Sequence, residues 1–211
     1  MEITVDAVLF DNDGVLVDSH REVEQAWRQI ADEFDLDTDR LLVELVGRRA
    51  VDTLSDHLGP EQCRRATARL EDLEVEMASQ TRPLAGAHDL LGQLDGAQWT
   101  IVTSAARRLA EARWRGASIR FPDRVVTAED VANGKPDPEP FLVGAAVLGV
   151  DPSRCLVFED SPSGGEAARA AGAAVVAVGA LDWPFAPLAR IDDLTRVTAS
   201  LEADGAITLR A

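Results

Sequence analysis

The sequence predicts an α/β fold: a doubly wound parallel sheet with an all-helical unit inserted after its first strand. Three observations predict it. Short apolar runs end in acidic or small polar residues, at 3–10, 99–103 and 156–158. From Pro83 onward, runs of strand character alternate with stretches of helical period, the pattern of a parallel sheet. Between about residues 21 and 80 the period is helical throughout and no strand intervenes.

Residues 3–10 are apolar and β-branched enough for a buried parallel strand, whose carboxyl end is where open α/β sheets bind ligands. This strand runs into Asp11-Asn12-Asp13-Gly14. Residues two apart on an extended segment face one side, so Asp11 and Asp13 can share a site while Gly14 lets the chain turn. Two close carboxylates repel unless a cation sits beside them, which points to a hard ion such as magnesium; an acidic turn without metal has the same residue types. The helical unit follows in four apolar sets: Val23, Trp27, Ile30, Ala31 and Phe34; Leu41, Leu42, Leu45 and Val46; Val51, Leu54 and Leu58; Leu70, Leu73 and Met77. After it the expected order is helix 87–94, strand 99–103, helix 107–115, strand 124–127, helix 138–148, strand 156–158, a helix to 171 and strand 173–178. Trp27 and Trp114 lie in apolar helical stripes and are expected in the core. Trp183 reads as an exposed loop aromatic that packs on the helical unit or on a partner.

Lys135 is the only lysine in a chain whose other basic side chains are all arginine. A lone ammonium among guanidiniums suggests a site that needs a compact point charge. It stands in Gly134-Lys135-Pro136-Asp137-Pro138, a stretch stiffened by proline. The run 156–158 likewise ends in Glu159-Asp160-Ser161-Pro162. Asp137-Pro138 and Ser161-Pro162 both read as a helix N-cap followed by proline at the first helical position, and such termini favour anions.

Composition narrows the partners. With 211 residues and 46% hydrophobic content the chain can build one α/β core plus a smaller appended unit. A net charge of -16 argues against nucleic acid and anionic membranes, which are held by clustered cations. Cys63 and Cys155 are too few and too far apart for a disulfide framework or a thiolate metal site, which fits a reducing, cytoplasmic setting. No signal segment is expected, and the apolar stretch 170–181 is too short to span a bilayer. Oligomeric state is expected to be monomer or weak homodimer.

In this order, the segments resemble the four motifs of the haloacid dehalogenase superfamily of phosphotransferases, over most of the chain: Asp11 to Gly14, the strand end at Thr103-Ser104, Lys135, and Glu159-Asp160. The resemblance implies a Rossmann-like core over 1–17 and 83–211 with a helical cap over 18–82. It makes Asp11 the nucleophile that forms an aspartyl-phosphate, and Asp13 the acid and then the base. It assigns Mg2+ to the Asp11 side chain, the Asp13 carbonyl and Asp160, with Glu159 supporting them from behind. Lys135 would neutralise charge during transfer, and Ser104 would donate its hydroxyl to the phosphoryl group; strand alternation favours Ser104 over Thr103.

Within the superfamily, Asp13 speaks against dehalogenation, and the absence of any lysine before Lys135 speaks against the phosphonate-cleaving branch. Sugar-phosphate mutases carry a cap histidine where Val23 stands here, although His20 is nearby. Hydrolysis of a small sugar or polyol phosphate is therefore expected, with a mutase or a non-catalytic phosphate sensor as alternatives. The cap segment Gly47-Arg48-Arg49-Ala50-Val51-Asp52 resembles the cap loop of microbial sugar- and polyol-phosphate phosphatases. It implies that Gly47, Arg48, Arg49 and Asp52, with Ala105 of the core, contact substrate.

Overall fold

The computed structural model describes residues 1–120 and 122–211. Its strands are β1 (Glu2–Val5), β2 (Ala7–Phe10), β3 (Val17–Asp18), β4 (Arg82–Pro83), β5 (Trp99–Val102), β6 (Val125–Val126), β7 (Cys155–Glu159), β8 (Ala174–Val178), β9 (Ala189–Ile191), β10 (Thr198–Leu201) and β11 (Ile207–Arg210). Its α-helices are α1 (His20–Phe34), α2 (Thr38–Glu44), α3 (Ala50–Ser55), α4 (Pro60–Met77), α5 (Ala87–Gln93), α6 (Arg107–Ala117), α7 (Glu139–Leu148) and α8 (Pro162–Ala170).

Six strands form a parallel sheet in the order β6-β5-β2-β7-β8-β9. The central strand β2 is buried along its whole length, and alternate side chains enter different cores. Val8 and Phe10 pack with Leu90, Ile101 and Trp114 on one face. Ala7 and Leu9 pack with Val102, Phe141 and Ala145 on the other. The doubly wound α/β architecture inferred from the sequence is thus present, with Trp27 and Trp114 buried as expected.

One expectation fails at the first strand. Residues 3–10 are two strands, not one, because Asp6 leaves the apolar run: its N–H donates to the Arg154 carbonyl at 2.9 Å and its carboxylate pairs with the Arg154 guanidinium. Before it, β1 joins β11 and β10 in a separate antiparallel sheet, with Glu2 opposite Arg210. The strands β9, β10 and β11 were not foreseen; β9 and β10 are short and mostly solvent-facing and carry little apolar signal.

The helices α1 to α4 bury a core of their own, built on Ala26, Trp27, Ile30, Leu41, Leu54 and Leu70. Asp37 starts α2 by accepting the Arg40 N–H at 3.1 Å, and Pro60 occupies the first turn of α4. The chain enters and leaves this unit through adjacent strands, with Val17 opposite Pro83 and Asp18 opposite Arg82. Trp183 packs on the sheet domain: a Cβ at Gly165 of α8 would lie 2.3 Å from its ring. It also meets Phe185 edge-on and joins the apolar cluster around Ala167 and Val175, a packing within the sheet domain where the helical unit or a partner was expected.

Candidate active site

The carboxyl ends of β2, β5 and β7 open into a cavity of about 640 Å³ between the sheet and the helical unit. After β2 the chain turns on itself: the Asn12 carbonyl accepts the N–H groups of Leu16 at 2.8 Å and Val17 at 3.0 Å, and the Gly14 N–H donates to Val17 at 2.8 Å. Gly14 has φ +79, and a Cβ there would lie 2.1 Å from Asp160 Oδ2, so both backbone and space require glycine.

Asp11, Lys135, Glu159 and Asp160 converge below this turn. Lys135, whose side chain is 1% exposed, places Nζ 2.5 Å from Asp11 Oδ1 and 2.6 Å from Glu159 Oε1, and donates to the Val102 carbonyl at 3.3 Å. The other Glu159 oxygen accepts the Ser161 N–H at 2.7 Å and the Ser161 hydroxyl at 2.9 Å. Glu159 is therefore fully committed to holding Lys135 and the start of α8. Ser161 caps that helix by accepting the Gly164 N–H at 3.0 Å, as the Ser-Pro pattern implied. At α7 the start is shifted: the helix begins at Glu139, though the Asp137 carboxylate still accepts the Glu139 N–H at 2.9 Å.

Carboxylate oxygens of Asp11, Glu159 and Asp160 all lie within 4.8 Å of one another. Three acids face one ammonium, and the electrostatics follow from that surplus. Burial pushes the Asp11 carboxyl up to about 7; Lys135 opposes this, while Glu159 and Asp13 add to it. Burial and then the Glu159 and Asp11 charges push Asp160 well above the usual carboxylate range. Lys135 is desolvated as well, but its two anionic partners outweigh that and hold it charged, above the ordinary lysine range. The donor set suits a hard divalent cation: all oxygen, net negative, with Asp160 and the second Asp11 oxygen not committed to Lys135.

Asp13 lines the same cavity as Asp11, as expected, but stands outside the carboxylate cluster. Its Oδ2 is 2.9 Å from Arg113 Nη1 of α6 and accepts from Asn12 Nδ2 at 3.1 Å, and its Oδ1 accepts the Ser19 hydroxyl. Arg113 also donates to Glu74 of α4 at 2.8 Å. Neither Arg113 nor Glu74 was singled out from sequence. In sequence Arg113 is one of several arginines in its helix, and only its burial one turn after Leu109 sets it apart.

At the end of β5, Thr103 and Ser104 both line the cavity. The Ser104 hydroxyl is spent on the Gly47 carbonyl of the helical unit, at 2.9 Å. Thr103 lines the same cavity, and its oxygen accepts the Ala105 N–H at 3.1 Å, which leaves its own proton to donate. Strand alternation says which side chain is exposed, not which hydroxyl already has an acceptor.

The loop after α2 presses on the core. Gly47 has φ +73, and a Cβ there would lie 2.1 Å from Ser161 Oγ. Ser163 donates to the Val46 carbonyl at 3.1 Å. Arg49 holds Asp52 through two nitrogens, at 2.7 and 2.9 Å, and donates to the carbonyls of Val131 and Ala132, each at 3.1 Å. Arg48 pairs with Asp56 at 2.9 Å. Gly47, Arg48, Arg49 and Ala105 line the cavity, whereas Asp52 does not; it steadies Arg49 on the loop before Lys135. His20 stands at the cavity edge, 3.8 Å from Asp160 and 3.6 Å from Asp18.

Comparison with known proteins gives consistent findings. The family model described as haloacid dehalogenase-like hydrolase matches residues 5–172. Hexitol phosphatase A of Escherichia coli is 38% identical over 92% of this chain and 90% of its own length. A beta-phosphoglucomutase of Bacillus subtilis is 33% identical over 82% of this chain and 83% of its own. The crystal structure of a hydrolase from Pseudomonas syringae superposes with a TM-score of 0.80 at 27% identity, covering 90% of this chain and 94% of that one. Among the described residues, no helix is long and apolar enough to cross a membrane.

Proposed function

The chain belongs to the haloacid dehalogenase-like hydrolases, and from that premise we propose that it is a magnesium-dependent phosphatase of a small sugar or polyol phosphate, acting through an aspartyl-phosphate on Asp11. The observation that carries this is the Lys135 ammonium, buried between Asp11 and Glu159 beside Asp160. A fully buried lysine shared by two acids is costly to build, and it serves transfer of an anionic group to Asp11.

In this scheme the uncommitted Asp11 oxygen attacks phosphorus in line, and the bond to the leaving oxygen breaks. Lys135 holds Asp11 oriented and offsets the charge that gathers on the phosphoryl oxygens, with Thr103 donating a hydrogen bond. Asp13 gives its proton to the departing alkoxide and takes one from the water that then cleaves the acyl phosphate. Asp11, Asp160 and the Asp13 carbonyl would hold magnesium, which supplies charge neutralisation and orientation of the phosphate. The segments 1–17 and 83–211 act as the catalytic core and 18–82 as a cap. The cap shields the phosphoryl group from bulk water and presents Gly47, Arg48 and Arg49, beside Ala105, to the substrate.

A hexitol phosphatase among the relatives supports a polyol phosphate substrate. The mutase relative favours a second reading, phosphate exchange within a sugar. Against it, Arg48 and Arg49 are both ion-paired, and the cavity is lined by Glu24, Glu71 and Glu74 of the cap, poor company for a second phosphate. The test is phosphate release from hexitol, hexose and glycerol monophosphates, with magnesium or with chelator, by wild type and Asp11→Asn. The reading expects chelator-sensitive release from a few polyol or sugar phosphates and none from the variant. Isomerised sugar phosphate without free phosphate would establish the mutase instead.

A further inference from the structure

A second buried charge cluster lies behind the reacting groups, at the seam between sheet domain and cap. Arg113 of α6, 3% exposed, reaches Asp13 with one terminal nitrogen at 2.9 Å and Glu74 of α4 with the other at 2.8 Å. The next residue, Trp114, donates its indole N–H to Asn12 at 2.6 Å, so α6 grips both residues that follow Asp11. The contact is close-packed: a Cβ at Gly116 of α6 would lie 2.2 Å from the Ala78 carbonyl, just past the end of α4. Asp13 has a further tie to the start of the cap, through the Ser19 hydroxyl that precedes α1.

We propose that Arg113 is a positioning residue that aims the Asp13 carboxylate at the leaving oxygen and, through Glu74, makes that aim depend on a seated cap. A planar guanidinium fixes two carboxylates relative to each other, which one ammonium does not. A bridge that served only to dock the cap had no need to end on Asp13. Because the cap meets Asp13 near both its ends, through Ser19 and through Glu74, displacement of the cap displaces the acid. Cleavage without the substrate's body in the cap would then lack a well-placed proton donor, and idle hydrolysis is suppressed.

The inference rests on the phosphatase reading, in which Asp13 protonates the leaving alkoxide. Its test compares kcat/KM, which reports the steps through leaving-group departure, for a hexitol phosphate and for p-nitrophenyl phosphate. Nitrophenolate departs without a proton; a hexitol alkoxide needs one. Arg113→Met is expected to lower kcat/KM about 100-fold for the hexitol phosphate and less than about 5-fold for the aryl phosphate. Glu74→Gln shifts the ratio the same way by a smaller factor, and Arg113→Lys does not restore it. The R113M/E74Q double variant leaves no unpaired Glu74 in the seam and must show the same ratio. Equal losses on both substrates, or no loss on either, overturn the proposal and leave the phosphatase reading standing. A wild type that releases phosphate from neither substrate overturns both.

Discussion

Replacing Lys135 by Met removes the cation that pairs with Asp11 and Glu159 beside Asp160. Its ammonium is 2.5 Å from Asp11 and 2.6 Å from Glu159, and both are buried. Breaking a buried pair by deleting one partner costs about 3–5 kcal/mol. For a chain of this size each kcal/mol lowers the melting temperature by about 2–4 °C, so the metal-free variant should melt roughly 10 °C below wild type. Protonation limits the loss, because Asp11 is already pushed up to about 7 by burial and loses the influence that held it down. The deficit is therefore larger at pH 8 than at pH 6. Adding Glu159→Gln, which removes one of the stranded charges, should recover part of it. With saturating magnesium the rate on a hexitol phosphate should fall by about 10²–10³, the usual size for loss of one preorganised charge donor. The assay pairs thermal melts in chelator at both pH values with steady-state rates. A variant that melts within about 2 °C of wild type and keeps its rate within tenfold would refute this electrostatic reasoning.

Asp160→Asn tests the acid surplus. A carboxyl whose folded pKa is raised costs stability once the pH exceeds its unfolded value, near 4, and the cost grows until the folded pKa is passed. Asp160 is raised well above that range by burial and by Glu159 and Asp11, so the metal-free variant should melt higher than wild type at pH 8 while losing any magnesium-dependent rise. A lower melting temperature would contradict this. Thr103→Val should reduce kcat/KM about 10–100-fold, and Ser104→Ala only severalfold, because Ser104 already spends its proton on Gly47; the reverse ranking would restore Ser104 to the phosphoryl site. Gly47→Ala forces a Cβ onto Ser161 at φ +73 and should raise KM and lower kcat together with little change in melting; unchanged kinetics would mean the loop contact is idle.

The chemistry of this chain was more legible than its edges. Asp11 and Asp13 stand at the end of an apolar strand, and Lys135 is the only lysine among arginines. Both signals are compositional, and both survive because the groups that do the work must be of those types. The break at Asp6 was not legible, since an isolated acid in an apolar run is compatible with either one strand or two until the Arg154 partner, 148 residues away, is in place. The strand β11 escaped for a related reason, since its pairing partner β1 lies at the opposite end of the chain, and β10 is placed only through β11. Arg113 and Glu74 are 39 residues apart and each resembles an ordinary surface charge in sequence; only the tertiary seam makes them a pair. Thr103 and Ser104 differ in what accepts their protons, which no local pattern encodes.

The central claim is that Asp11 becomes phosphorylated. Rapid acid quench of the enzyme turning over a hexitol phosphate with magnesium, followed by borohydride reduction of acyl phosphate and peptide mass analysis, tests it directly. The expected result is reduction to homoserine at position 11, absent in chelator and absent in Asp11→Asn. Steady phosphate release by Asp11→Asn, or a phosphoryl group trapped on another residue, would contradict it.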